Sequence, residues 1–168
     1  MKEIVDVYMG QVKLGRGDVM LRSLAIGSCI AIAAYDFKLK IGAMAHVMLP
    51  GSAPEKSSEI NKYAPNAIDA MIDLMVQAHS DKSNIEVCLV GAGNVLQKED
   101  DAICDANIRS TTRILEERNI PIRATALGGM ERKSISLDIE TGSVTYRKGD
   151  GQKQLLWRPA TSQLNDTG

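Results

Sequence analysis

Two short apolar runs lie close together near the start of the chain, over residues 24–35 and 41–50. In the second run, apolar residues at odd-numbered positions alternate with Gly42, Met44, His46 and Met48. This period of two predicts a β-strand. The first run is apolar with β-branched members and is interrupted at Gly27 and Ser28, so it predicts a strand with a break there. A short polar turn over residues 36–40 joins the runs, which are expected to pair as a hairpin.

The rest of the chain alternates helix and strand patterns. Apolar residues recur at helical spacing in two segments, residues 65–78 and 101–118. Strand patterns occupy residues 4–14, 85–90, 122–127, 134–139 and 143–147. The strand–helix–strand–helix–strand order in the middle predicts crossover connections, whereas the hairpins at the two ends predict antiparallel pairs. The expected fold class is therefore α/β: a layered domain with mixed β-sheets and two main helices.

Two polar segments flank these elements. Residues 50–61 follow directly on the histidine strand and are expected to form a mobile flap. From Gly149 onward the chain is polar apart from residues 155–157, which are expected to pack back onto the domain. We therefore expect a single domain over residues 1–150, followed by a polar C-terminal tail over residues 151–168.

Composition excludes several classes of function. The chain has 168 residues, a net charge of −1 and no basic stripe with interleaved aromatic residues, so no nucleic-acid partner is expected. It has no long apolar run and no signal-peptide pattern at its start, which predicts no membrane insertion and a cytoplasmic location. Three widely spaced cysteines and two histidines argue against both a disulfide framework and a metal cofactor.

One cysteine and one histidine lie in the two runs of the predicted hairpin. A turn centred between Phe37 and Lys38 would place Cys29 opposite His46. Directly opposed side chains share a face of the sheet, with Cβ atoms roughly 4.5–5.5 Å apart. A slip of one residue would separate them onto opposite faces, so the prediction depends on the register of the hairpin.

A thiol beside an imidazole has a specific chemistry. The histidine can accept the thiol proton and leave a thiolate–imidazolium pair, which is a nucleophile at neutral pH. Gly27 and Ser28 would allow a substrate carbonyl to approach the backbone, and N–H groups around Cys29 would stabilise an oxyanion. The other interpretation is a buried inert thiol beside a satisfied core histidine. The pattern alone leaves both interpretations open, whereas Cys88 and Cys104 lie on apolar faces and are expected in the core.

The residues around this pair resemble a known family. Residues 23–29, ending in Gly-Ser-Cys, and residues 45–50, reading Ala-His-Val-Met-Leu-Pro, are similar to the chemoreceptor glutamine deamidases of the CheD family. The resemblance spans about residues 1–148. Weaker matches are a helix opening at Tyr63, Asn107, the pair Gly128-Gly129 with Arg132, and Thr141-Gly142.

The resemblance implies a layered α/β fold related to cysteine-dependent deamidating toxins. It implies hydrolysis of glutamine side-chain amides on methyl-accepting chemotaxis receptors through a thioester, with Cys29 as the nucleophile and His46 as the base. No metal or organic cofactor is implied. The resemblance also implies docking to a CheY-P phosphatase of the CheC type.

Two departures from the family pattern stand out. Ser23 occupies the third catalytic position, where the family typically has threonine. It keeps the hydroxyl that would orient the imidazole but lacks the methyl group that restricts it. Residues 88–94 lack the basic and aromatic residues that usually precede a Gly-Gly-Ala segment, which predicts a different specificity.

Three alternatives to a deamidase remain open at this stage. The chain could act chiefly as an adaptor for the phosphatase. It could be a related cysteine hydrolase that acts on receptor methyl esters, because thioester chemistry serves both amides and esters. It could also be a structural α/β domain whose thiol is inert.

Overall fold

The computed structural model describes residues 2–55, 58–99 and 102–160. These residues form two α-helices, α1 (Ala64–Gln77) and α2 (Ala102–Glu117), and two short 3-10 helices, Ile60–Lys62 and Lys82–Asn84. The strands are β1 (Glu3–Asp6), β2 (Val12–Arg16), β3 (Val19–Ile26), β4 (Ile30–Asp36), β5 (Ile41–Val47), β6 (Ile85–Gly91), β7 (Ile122–Leu127), β8 (Lys133–Asp138), β9 (Val144–Lys148) and β10 (Gln154–Trp157). Both α-helices and strands β6 to β9 agree with the sequence pattern to within a few residues, whereas β10 was not predicted as a strand.

The strands form two five-stranded sheets. The first sheet has the order β1-β3-β8-β9-β10, and the second has the order β2-β5-β4-β6-β7. Each sheet is mixed, since β1 runs parallel to β3 and β6 runs parallel to β7, while the remaining pairs are antiparallel. The expected fold class, a layered α/β domain with mixed sheets and two main helices, is confirmed.

Two apolar cores separate three layers. One core lies between the sheets and includes Leu21 and Leu137 of the first sheet with Ala33 and Met44 of the second. The other core lies on the far face of the second sheet, where α1 and α2 cover it. Every residue of β4 and β5 is consequently buried. This explains why both strands read as nearly continuous apolar runs.

The register of the β4–β5 hairpin differs from the expected one. Ala31, not Cys29, pairs with His46, and Asp36 pairs with Ile41. The loop therefore has four residues, 37–40, and the carboxylate of Asp36 accepts hydrogen bonds from two of its N–H groups, at 2.9 and 3.2 Å. The turn is centred one residue later than expected because this carboxylate closes it. Since the pairing shifts by two residues, Cys29 and His46 remain on the same face of the sheet.

Two segments that the sequence predicted to be single strands each contain parts of two strands, one in each sheet. The run over residues 24–35 contains the end of β3 in the first sheet and most of β4 in the second. The break predicted at Gly27 and Ser28 lies in the crossing between the sheets, residues 27–29. The segment over residues 4–14 likewise contains parts of β1 and β2, which lie at the edges of different sheets. Periodicity identified extended backbone at these positions but carries no information about which sheet a strand joins.

The two polar segments, residues 50–61 and the C-terminal tail, both contact the rest of the domain. In the predicted flap, the N–H of Gly51 donates to Ser110 Oγ at 3.2 Å and that of Ala53 donates to Asn66 Oδ1 at 2.9 Å. Residues 56 and 57 of this segment lie outside the described residues. Within the predicted tail, β10 pairs with β9, and Trp157 packs against the core between the sheets. The prediction that residues 155–157 pack back is confirmed for Leu156 and Trp157, whereas Leu155 is 52% exposed; residues 161–168 lie outside the described part.

We expect Asp36 to contribute strongly to stability through the turn that sets this register. Its side chain is buried, and it also accepts a hydrogen bond from Ser80 Oγ at 2.7 Å. Asp36→Ala removes all three bonds and is expected to lower the free energy of unfolding by roughly 3 kcal/mol, measured by urea denaturation. The control Ser80→Ala removes one bond and should cost about 1 kcal/mol. Equal losses in the two variants would contradict a special role of Asp36 in the turn.

Candidate active site

Cys29 lies where the chain crosses from one sheet to the other. It precedes β4, is 6% exposed and faces the core between the sheets. Its carbonyl accepts a hydrogen bond from the N–H of Ala92 at 2.7 Å, and the carbonyl of Gly27 accepts one from Gly93 at 2.9 Å. The backbone after β6 therefore holds the cysteine loop in place. Gly91 permits this contact, because a Cβ at that position would overlap the Cys29 carbonyl oxygen.

The same loop offers unused hydrogen-bond donors. Its three carbonyls, at residues 27–29, all accept hydrogen bonds. Among the residues that the structure describes, the N–H groups of Ser28 and Cys29 donate to no acceptor. Free backbone N–H groups beside a nucleophile are suited to stabilise a negatively charged oxygen. The expectation that backbone at Gly27 and Ser28 borders the reacting atoms is consistent with this arrangement.

His46 lies on β5 and is held through one of its two ring nitrogens. It is 5% exposed, and Nδ1 lies 3.2 Å from the carbonyl oxygen of Val7. Because a carbonyl only accepts hydrogen bonds, Nδ1 carries the proton in neutral His46, and Nε2 keeps its lone pair. Cys29 lies just outside the β4–β5 ladder, two residues before Ala31, which pairs with His46, and therefore on the same face as His46.

Ser23 lies on β3 in contact with the same carbonyl. Its hydroxyl donates to Val7 O at 2.7 Å and lies 3.4 Å from the sulfur of Met44. In the described residues it makes no hydrogen bond to the imidazole, so it can influence His46 only through their shared acceptor. The sequence suggested direct orientation of the ring, whereas the geometry makes Val7 the intermediary. Nothing in the sequence marks Val7, because a main-chain carbonyl can come from any residue.

Burial dominates the electrostatics of the pair. It raises the pKa of the Cys29 thiol and lowers the pKa of the His46 imidazole, with the Val7 carbonyl opposing the second shift. Both directions favour the uncharged forms at pH 7. Burial thus favours an uncharged thiol beside an uncharged imidazole as the starting state, whereas the sequence suggested a thiolate–imidazolium pair. A proton would move to His46 during attack.

The raised pKa makes a prediction for the reactivity of Cys29. Its alkylation by iodoacetamide should be slow at pH 7 and should rise with pH beyond the usual thiol pKa of about 8.5, because only the thiolate reacts. Mass spectrometry of peptides after timed labelling measures this for each cysteine. Cys88 is the internal control, since burial raises its pKa to about 12 and it should remain unlabelled. Complete labelling of Cys29 at pH 6 would contradict the prediction.

Other polar side chains near the loop were not identified as site residues from the sequence. Lys133 is buried, and its ammonium donates to the carbonyls of Gly128 and Gly91. Nothing in the sequence distinguished Lys133 or gave it a role, because its sequence neighbours Glu131 and Arg132 are also charged. Asn107 could be noticed in the sequence, because it is a polar residue on the buried face of α2 and one of the weaker matches to the family pattern. Cys88 and Cys104 are buried, which confirms that they belong to the core.

A cavity of about 290 Å³ lies beside the cysteine loop. It is lined by Gly27, Ser28, Cys104, the exposed Leu96 and the basic side chains of Lys98 and Arg132, among others. Ser28, whose N–H is one of the free donors, is among the lining residues. Among the described residues, no group of three or more histidine, cysteine or acidic side chains could hold a metal ion.

In the residues that the structure describes, no helix is long and apolar enough to cross a membrane.

Comparison with known proteins identifies the family. Residues 48–148 match the family model CheD, described as CheD chemotactic sensory transduction. This match begins after Cys29 and His46, but individual relatives match over nearly the whole chain. One, from Chlorobium luteolum and named probable chemoreceptor glutamine deamidase CheD, is 36% identical over 163 residues, covering 96% of this chain and 81% of the relative.

Further relatives carry the same name. The chemoreceptor glutamine deamidase CheD of Thermotoga maritima is 28% identical, over 92% of this chain and 97% of the relative. A probable CheD of Methanococcus maripaludis is 32% identical, over 90% and 99%. A solved structure, the Bacillus licheniformis hypothetical protein YfiH, is similar with a TM-score of 0.43 and 14% identity, over 68% of this chain and 47% of that one. From the family model and these relatives, the chain belongs to the CheD family of chemotactic sensory transduction proteins.

Proposed function

We propose that this protein hydrolyses the side-chain amide of glutamines on chemoreceptors and converts them to glutamate. Relatives covering most of the chain are named chemoreceptor glutamine deamidases. The observation that carries the proposal is the placement of Cys29 and His46 on one face of the second sheet, beside two unused N–H groups. This arrangement combines a nucleophile, a base and oxyanion donors, which is what amide hydrolysis needs.

The proposed reaction has two halves. In the first, Cys29 Sγ attacks the carboxamide carbon while its proton moves to Nε2 of His46. The N–H groups of Ser28 and Cys29 stabilise the oxyanion, and the imidazolium then protonates the departing ammonia. In the second, His46 takes a proton from water, which attacks the thioester, and His46 then returns that proton to the departing Sγ. The Cys29 thiol is restored, and the new carboxylic acid gives its proton to the released ammonia or to solvent and leaves as glutamate. Atoms and charges balance without a metal or an organic cofactor.

Ser23 and Gly27 support these steps without reacting. Ser23 donates to the Val7 carbonyl that also holds Nδ1 of His46, so its hydroxyl limits movement of that carbonyl. The bond from Gly93 to the Gly27 carbonyl keeps the N–H groups of the following residues free for substrate.

Exposed apolar side chains around the site favour a protein substrate. Tyr8 and Met9 follow Val7 and are 62% and 54% exposed, and Leu96 at the cavity is 75% exposed. A small-molecule hydrolase would enclose its substrate, whereas these side chains are apolar surface left exposed to solvent. We propose that a receptor segment docks here. The three cysteines, all free thiols in the structure, suit the reducing cytoplasm, where we place the reaction.

The test is conversion of glutamine in a receptor. Purified cytoplasmic receptor fragments are incubated with the protein, and glutamine-to-glutamate conversion is followed by mass spectrometry of peptides. Conversion at a few defined glutamines is expected, and a fragment with those glutamines replaced by asparagine serves as the control. Absence of conversion by folded protein would overturn the proposal. If binding to a phosphatase of the CheC type persisted in that case, an adaptor function would replace it, and release of methanol from methylated fragments would indicate a methylesterase.

A further inference from the structure

Asn107 connects the two halves of the candidate site. It lies on α2 and is fully buried. Its side-chain nitrogen donates to the carbonyl of Ser28 at 2.9 Å and to the carbonyl of Met48 at 3.2 Å. Ser28 immediately precedes the candidate nucleophile, and Met48 follows the candidate base by two residues. One amide group therefore holds both backbone segments.

Asn107 bridges the two backbone segments at a point where strand pairing no longer joins them. The ladder between β4 and β5 ends at the pair Ile30 and Val47. Cys29, which precedes Ile30, and Met48, which follows Val47, both lie beyond this last pair. No strand pairing therefore sets the distance between the cysteine loop and the end of β5. The bonds from Ala92 and Gly93 tie the loop to the segment after β6 but not to the histidine strand. Asn107 supplies the missing link.

This link comes at a cost in stability. The Oδ1 atom of Asn107 is buried and has no hydrogen-bond partner among the described residues, and the same is true of Thr111 Oγ1 one helical turn later. A buried polar atom without a partner costs about 1–3 kcal/mol. An apolar residue on this face of α2 would avoid that cost. The presence of asparagine at position 107 is explained by the two carbonyls, of Ser28 and Met48, to which its nitrogen donates.

We propose that Asn107 is a positioning residue for the deamidation, keeping Sγ of Cys29 within reach of Nε2 of His46. The inference rests on the proposed function. Asn107 touches neither substrate nor the reacting atoms, so its loss should lower kcat and leave KM within about twofold. A displacement of the order of 1 Å is enough to reduce a rate roughly 100-fold, and we expect a loss of roughly 10- to 100-fold.

The experiment compares two substitutions of Asn107 with a matched control. Asn107→Leu keeps the branching at Cγ and removes the donor but is larger, whereas Asn107→Asp keeps the size and shape and replaces the donor with an acceptor. Thr111→Val removes the other unpartnered polar atom on the same face of α2. Folding is checked by circular dichroism and urea denaturation. We expect kcat to fall in both Asn107 variants and to stay within twofold of wild type in Thr111→Val, whose stability should be unchanged or higher.

A second readout separates this inference from the proposed function. The rate of Cys29 alkylation is measured with and without His46→Asn, in the wild-type and in the Asn107→Leu background. We expect His46→Asn to slow alkylation in the wild type and to have no effect once Asn107 is replaced. An equal effect in both backgrounds would overturn the positioning role, even if receptor conversion is observed. Absence of receptor conversion with the coupling intact would overturn only the proposed substrate. If Asn107→Leu does not fold, Asn107→Asp is used in the same cycle.

Discussion

Cys29→Ala is expected to reduce glutamine conversion on receptor fragments to the background rate. Alanine keeps the small apolar volume beside β4 but has no sulfur to form the thioester. Loss of a nucleophile in a concerted catalytic group typically costs a factor of about 10⁶, so a fall of at least roughly 10⁴-fold is expected. The measurement is the same mass-spectrometric assay, extended to long incubation.

Cys88→Ala is the matched control for this variant. Cys88 lies in the same core between the sheets and is as well buried, but burial holds its pKa near 12 and no imidazole lies on its strand. Conversion should stay near the wild-type rate in this variant. Retention of conversion in Cys29→Ala, or an equal loss in both variants, would show that Cys29 is not the nucleophile.

His46→Asn is expected to lower kcat by roughly 10²- to 10⁴-fold, the usual contribution of a general base. The asparagine amide can still donate to the Val7 carbonyl, so the backbone around β5 should be kept. It offers no basic nitrogen toward Cys29. The loss should therefore appear in kcat without unfolding, as judged by the denaturation midpoint.

The pH dependence distinguishes a lost base from a general disturbance. Burial lowers the pKa of His46, so the imidazole is uncharged above the usual value of about 6.5, and the wild-type rate should level off above that pH. In His46→Asn the residual rate should keep rising with pH, because it depends on the thiolate of Cys29, whose pKa is raised. His79→Asn is the control. His79 is exposed and has a φ of 77°, a conformation that asparagine tolerates well, so activity should not change. Parallel pH profiles in wild type and His46→Asn would contradict the base role.

Much of this fold could be predicted from local pattern. The alternation along residues 41–47 and the helical stripes of α1 and α2 record which side of each element faces a core. The same alternation places His46 on the face with Met44, between the sheets. Prediction was weaker for the early strands, because β3 and β4 are separated by only three residues and both are apolar. The crossing between the sheets thus looked like a break within one strand.

The candidate site, like the fold, could be predicted only in part from the sequence. Residue types and their spacing identified Cys29 and His46 and required that they share one face of the sheet. Which residue is paired with His46 was decided by the Asp36 turn, and the orientation of the imidazole by the carbonyl of Val7.

Sequence by itself determined most of the elements, the face of the sheet on which each side chain lies, and the pair of residues proposed to perform the chemistry. Only the tertiary structure decided the partners: Val7 is 39 residues from His46, and Asn107 is 79 residues from Ser28. The physical reason is that periodicity records burial one residue at a time, whereas these bonds go to main-chain carbonyls, whose acceptor is the same in every amino acid. The distance between thiol and imidazole depends on such bonds as much as on the two side chains.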